Sequence, residues 1–167
     1  LPLYSDDVSI ENRFTSSAYH SIGDRFILSA NLFLLSINSL DDNVRVSKRA
    51  YIPSRRLRGF ESGKIGPKDG NQYIGGNYAS ALNLNSTMPN ILFENEDVDF
   101  NIFVDLANVW EVDYNSSLDS NKIRSATGIA INWFSPIGPF TFSYAIPITE
   151  ANTDVTERFR FQIGTSF

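Results

Sequence analysis

The side chains that could do chemistry in this chain are few, and their types restrict what that chemistry could be. Among 167 residues there is no cysteine and a single histidine, His20. Thiolate catalysis and disulfides are ruled out, and no second imidazole is at hand to share a metal. A Ser-His-Asp triad would have to draw on His20 alone, and no Gly-x-Ser-x-Gly elbow presents a nucleophile. The acidic run Glu94-Asn95-Glu96-Asp97 lacks the spaced ligands and tight glycine of a calcium loop and reads as a solvated turn. The expectation is a protein that is not an enzyme and uses no catalytic residue, metal or cofactor. One segment offers chemistry of another kind. In Leu57-Arg58-Gly59-Phe60-Glu61-Ser62-Gly63 the glycine lets the backbone turn beside a guanidinium whose planar fork suits a carboxylate. Alone, such a triplet is an ordinary exposed turn; its meaning depends on the elements around it.

Those elements read as strands. At the carboxyl end Phe159, Phe161, Ile163 and Phe167 alternate with Arg158, Arg160, Gln162 and Ser166, so one face is apolar and the other polar. Gly164 leaves room there for a kink or a close approach. Upstream, Phe140, Phe142, Tyr144, Ile146 and Ile148 alternate with Thr141, Ser143, Ala145 and Pro147. Phe100, Ile102, Val104 and Leu106 alternate with Asn101, Phe103, Asp105 and Ala107. Such segments run about 9–11 residues, the length a tilted strand needs to cross a bilayer, whereas strands of soluble domains centre nearer ~5–6. In a soluble sandwich the apolar face points inward, and in an outer-membrane barrel it faces lipid. A barrel hides its hydrophobicity in alternate positions, consistent with a mean hydropathy of -0.18 and with no apolar run long enough for a membrane helix. A net charge of -5 argues against nucleic acid as a partner, since phosphate binding needs a concentrated basic surface.

The length suits one domain, residues 1–167, an all-β antiparallel transmembrane β-barrel of about eight strands. They are expected near Ser9–His20, Arg25–Ser39, Val44–Pro53, Gly75–Thr87, Asp97–Val109, Ile123–Ser135, Gly138–Thr149 and Arg158–Phe167, with a long Gly-rich loop at 54–74. Val44–Pro53 is the least regular, because Arg45, Lys48 and Arg49 interrupt its apolar face and Pro53 cannot donate to a ladder.

From about residue 44 to the end, the chain resembles the BamA family of outer-membrane insertases, built from periplasmic POTRA domains and a carboxyl-terminal barrel. The resemblance is carried by Leu57-Arg58-Gly59-Phe60, Gly75-Gly76-Asn77, Phe103-Val104-Asp105, the stretch Gly128 to Pro139, Phe142-Ser143-Tyr144-Ala145 and Phe161-Gln162-Ile163-Gly164-Thr165-Ser166-Phe167. It implies the carboxyl-terminal half of a sixteen-stranded barrel, beginning near the ninth strand, with the POTRA domains and first barrel half outside the sequence. It further implies a loop that folds back into the lumen, where Arg58 pairs with Asp105 on a wall strand that also carries Phe103. Two positions depart from the family pattern: Ala107 stands where a glycine is usual, and Asn85 where a second wall acid is usual. Arg58 is therefore expected to rest on one carboxylate.

The function implied is assembly of β-barrel proteins in the bacterial outer membrane by templating on an edge strand, here the terminal one, which also serves as the assembly signal. The implied partners are outer-membrane lipid, client β-barrel proteins and accessory assembly lipoproteins. The loops at 54–74, 115–121 and 150–156 would be extracellular, and the turns at 94–97 and 136–139 periplasmic. Two alternatives stay open: a stand-alone eight-stranded surface barrel, and the sister assembly factor for autotransporters. Eight strands closing alone leave an interior just wide enough for side chains. The loop would then be expelled, leaving Asp105 to Arg124, Arg158, Arg160 or water, unless two copies associate edge to edge. The small lumenal residues Ala79, Ala81, Ala107, Ala126, Gly128, Ala130 and Ala145 favour closure of a single chain, with Ser9–His20 pairing against Arg158–Phe167.

Overall fold

The computed structural model describes residues 8–23, 25–40, 43–89, 97–118 and 121–164. In chain order its strands are β1 (Ser9–Ile22), β2 (Phe26–Ser39), β3 (Gly59–Phe60), β4 (Lys68–Asp69), β5 (Gln72–Tyr73), β6 (Tyr78–Pro89), β7 (Val98–Trp110), β8 (Arg124–Ser135), β9 (Gly138–Thr149), β10 (Thr156–Glu157) and β11 (Phe159–Ile163). Seven of these form one antiparallel sheet in the order β1-β2-β6-β7-β8-β9-β11. Each of the seven lies beside the one that follows it among the seven, the pattern of sequential antiparallel connection.

The repeat of two sorts the side chains onto two faces with opposite character. Leu84, Ile102, Val104, Ile129, Trp133, Phe142, Tyr144 and Phe161 are exposed on the outer face. From β6 to β9 the inner face is mostly small or polar, and its Ala79, Ala81, Asn83, Asn101, Asp105, Ala107, Ala126, Ala130, Ser143 and Ala145 are buried. What buries them is the long connection between β2 and β6. Its Val44, Ala50, Ile52, Leu57, Phe60 and Ile65 join Phe33, Leu35 and Ile37 of β2 and the inner Ala79, Ala81, Ala107 and Ala126 in one apolar cluster, while Ala130 and Ala145 pack with Phe103 in a second.

Three expectations need correction. The segment Val44–Pro53 is not a sheet strand: it makes a single 3₁₀ turn at Val46–Lys48 and one isolated bridge, Ala50 to Gly76. Its Val44, Ala50 and Ile52 pack flat on the inner face, so burial comes from packing on the sheet rather than from pairing within it. Among the described residues the Ser9–His20 and Arg158–Phe167 segments do not pair, because β1 and β11 lie at opposite borders of an open sheet. The loop is not expelled. The small inner residues, expected to let a narrow barrel close, instead make the seat on which the loop rests, and a closed eight-stranded interior would leave no space for it.

Candidate functional site

A one-turn 3₁₀ helix, Ser54–Arg56, leads into Leu57 in extended conformation and then into the Arg58 triplet. Arg58 meets Asp105, on the inner face of β7, three times. Its backbone N–H donates to Oδ2 at 3.0 Å, Nε donates to Oδ2 at 2.7 Å, and Nη2 donates to Oδ1 at 2.7 Å. Asn83 Nδ2 adds a fourth donor, to Oδ1 at 2.8 Å, and also donates to the Arg56 carbonyl at 2.9 Å. A carboxylate has about four acceptor sites, and Asp105, fully buried, has all of them filled. The guanidinium lies 3.4 Å above the Phe103 ring centroid, a cation–π contact in a desolvated setting. Asn85 Oδ1 accepts from Nη2 at 2.8 Å. Arg58 thus rests on one carboxylate and one amide.

Two glycines make this geometry possible. Gly59 has φ +89°, and a Cβ there would come within 3.1 Å of Ala126 Cβ and 3.2 Å of Ala145 Cβ. Gly128 pairs opposite Phe103 across β7 and β8. A Cβ on it would fall 2.1 Å from the Tyr144 carbonyl oxygen and 2.8 Å from Phe103 Cζ. Phe60 is almost fully buried and pairs with Thr156, so β3 and β10 tie the triplet to the connection that precedes β11.

β11 forms one border of the sheet, with five residues, Phe159 to Ile163, paired to β9. Phe159, Phe161 and Ile163 are exposed on the outer face, where Phe161 packs against Phe140 and Phe142 at ring-centroid distances of 5.8 and 4.8 Å. Gly164 has φ +107°, and its N–H donates to the Pro139 carbonyl at 2.9 Å, which carries the contact with β9 one residue past Ile163. Phe167 lies outside the described residues, as do Glu94, Asn95 and Glu96. His20 is exposed and pairs opposite Leu28.

A profile of the Omp85 superfamily domain matches residues 2–167. The chain belongs to the Omp85 superfamily. The outer membrane protein assembly factor BamA of Neisseria meningitidis serogroup B is 32% identical over 139 residues, 66% of this chain and 17% of that protein. BamA of Nitratidesulfovibrio vulgaris is 26% identical over 177 aligned positions, 99% of this chain and 21% of that protein. The crystal structure of BamA from Haemophilus ducreyi lacking POTRA domains 1-3 superposes with a TM-score of 0.78 at 28% identity, covering 92% of this chain and 34% of that one. The chain therefore spans about a fifth of the length of these curated relatives and corresponds to the carboxyl-terminal part of the BamA barrel.

Within this Omp85 sheet three further anchors hold the inner segments, none singled out from the sequence as a loop anchor. Arg49 Nη2 donates to Asp113 Oδ1 at 2.6 Å, and Asp113 Oδ2 also accepts from the Val44 N–H at 2.6 Å and from Asn77 Nδ2 at 3.2 Å. Burial pushes the Asp113 carboxyl up, but the Val44 N–H, the Asn77 amide and the Arg49 charge outweigh it and hold the pKa below the ordinary value. Arg124, fully buried, donates to both oxygens of Asp154 at 2.9 and 3.0 Å and to Asn108 Oδ1 at 2.8 Å. Arg160, on β11, bonds Glu157 and the loop backbone. A signal was present for two of them: Arg124 and Arg160 fall on the inward phase of their strands, where a cation needs a partner. Arg49 carried the opposite signal, as an interruption of an expected strand.

Proposed function

We propose that this chain is the carboxyl-terminal barrel portion of a bacterial outer-membrane assembly factor that folds and inserts other β-barrel proteins, with β11 as the edge that receives a client strand. The observation that carries the reading is the border position of β11. Among the described residues β11 pairs to β9 alone, while its outer face is aromatic and apolar. In hydrocarbon an unpaired backbone N–H or C=O costs several kcal/mol, so such an edge recruits any strand that can satisfy it. The naming of the relatives as outer membrane protein assembly factors supports the same reading. No bond is made or broken in this mechanism, and no residue is assigned a catalytic, metal or cofactor role. Outer-membrane lipid would cover the apolar outer face, client barrels would engage the edge, and accessory assembly lipoproteins would serve the full-length protein.

Site-specific cross-linking tests it. Cysteines placed one at a time at Phe159, Phe161 and Ile163 should form disulfides with a stalled client strand in a regular register, whereas a cysteine at Ile129, mid-sheet on the same face, should not. Equal capture at Ile129 and Ile163 would reject β11 as the receiving edge.

A further inference from the structure

We infer that Arg160 latches the edge strand to the Arg58 loop from the inner side, so that seating of the loop sets how readily β11 leaves β9. Arg160 is the second residue of β11, and its side chain is 10% exposed. Nη1 donates to the Ser54 carbonyl at 2.6 Å and Nη2 to the Phe60 carbonyl at 2.5 Å, on either side of Arg58. Nε and Nη2 also donate to Glu157 Oε2, at 2.9 and 2.6 Å. Two of these three acceptors are main-chain carbonyls. Arg160 therefore reads the shape of the loop rather than a loop side chain, and the fixed fork of a guanidinium is what lets one group reach all three.

The loop in turn is fastened far from this border. Arg58 is bound to Asp105 on β7, and β8 and β9 lie between β7 and β11. Gly59 rests on Ala126 of β8 and Ala145 of β9, while β3 pairs with β10 just before β11 begins. One inner segment thus touches four successive strands and braces the border against the middle of the sheet. Among the described residues the main-chain ladder of β11 runs to β9 on one side alone. Unseating the loop would strip Arg160 of both carbonyl acceptors and leave a cation to Glu157 alone, and the strand it sits on would loosen. The latch makes Arg160 a positioning residue for the edge proposed above and so rests on that reading of β11. Its test reads strand retention instead of client insertion, so either can fail without the other.

The test is hydrogen exchange on the full-length protein in lipid nanodiscs, followed over peptides that cover 159–163. Arg160→Gln keeps the polar inward phase but loses the fork, and it should speed exchange there about tenfold, with Arg160→Lys in between. Arg58→Ala touches no residue of β11, yet it should speed exchange in the same peptide by at least about threefold, because the loop carries the effect. Arg49→Gln, which cuts the Asp113 anchor of the same connection, should loosen residues 44–50 and leave 159–163 unchanged. Unchanged exchange at 159–163 in Arg160→Gln overturns the latch. So does an Arg58→Ala variant whose loop is released while β11 stays protected, or an Arg49→Gln variant that loosens β11 as much as Arg58→Ala does. If Arg160→Gln fails to assemble, the Arg58→Ala and Arg49→Gln pair still decides.

Discussion

The middle of the sheet and its β11 border are built from the same alternating pattern and held in opposite ways. At the middle, β7 is paired on both sides along nearly its whole length, and Asp105 on its inner face has every acceptor site filled. At the border, β11 pairs on one side alone among the described residues, and its polar anchor is shared with a loop. The contrast teaches that alternation specifies a face, not a stability. What holds a strand is how many of its backbone and polar groups find fixed partners, and that number falls from β7 to β11.

The largest effect should come from breaking the seat at the middle. Asp105→Ala leaves the Arg58 guanidinium facing Phe103 with only Asn85 to accept from it, and it should destabilise the protein by about 3–5 kcal/mol, the range for one partner lost from a buried pair. A double-mutant cycle with Arg58→Ala should return strong coupling. Coupling near zero would remove the seat from the account altogether.

Next in size is the lipid-facing side. Ile131→Arg should cost about 2–4 kcal/mol in a refolding titration in lipid, while Asn132→Arg, one residue away and lining the inner polar cavity, should cost much less. Equal penalties would mean the outer face is not in hydrocarbon. Gly128→Ala probes the space under Phe103. With a Cβ 2.1 Å from the Tyr144 carbonyl oxygen, β8 and β9 must part locally, at about 1–3 kcal/mol, the usual range for overpacking. Thermal unfolding of that variant showing no loss would contradict the tight register there.

The smallest effect is a pH dependence at Asp113, beyond the end of β7. Its carboxyl pKa is lowered in the folded protein from an ordinary 3.8. The stabilisation it supplies is therefore complete above that ordinary value and drains away as pH falls through the lower folded one. Asp113→Asn should flatten the acid limb of stability measured below about pH 4, where an unperturbed carboxylate titrates. A limb unchanged by the substitution would place the acid sensitivity elsewhere.

Much of this was legible in the chain itself, because a repeat of two is a local property. Phe140 to Ile148 and Phe100 to Ala107 announce their faces without reference to any other segment, and the strands fall where the alternation puts them. The Arg58 seat was legible by another route, as a resemblance resting on Arg58-Gly59-Phe60 and Phe103-Val104-Asp105, and the structure brings those residues into contact. Gly128 was visible only as one more small residue on a polar face. Its use as the space beneath Phe103 follows from a cross-strand register that no single strand contains.

Sequence alone determined that the chain makes long two-faced strands, and the family resemblance pointed to Asp105 as the partner of Arg58. Tertiary structure decided that Val44–Pro53 lies on the sheet instead of in it, that β1 and β11 stay apart, and that Arg49, Arg124 and Arg160 hold the inner segments. The physical reason is separation along the chain. Arg49 meets Asp113 across 64 residues and Arg160 meets Ser54 across 106, so a polar group on an inward face declares only that it needs a partner, and which partner it finds depends on how the loop folds back.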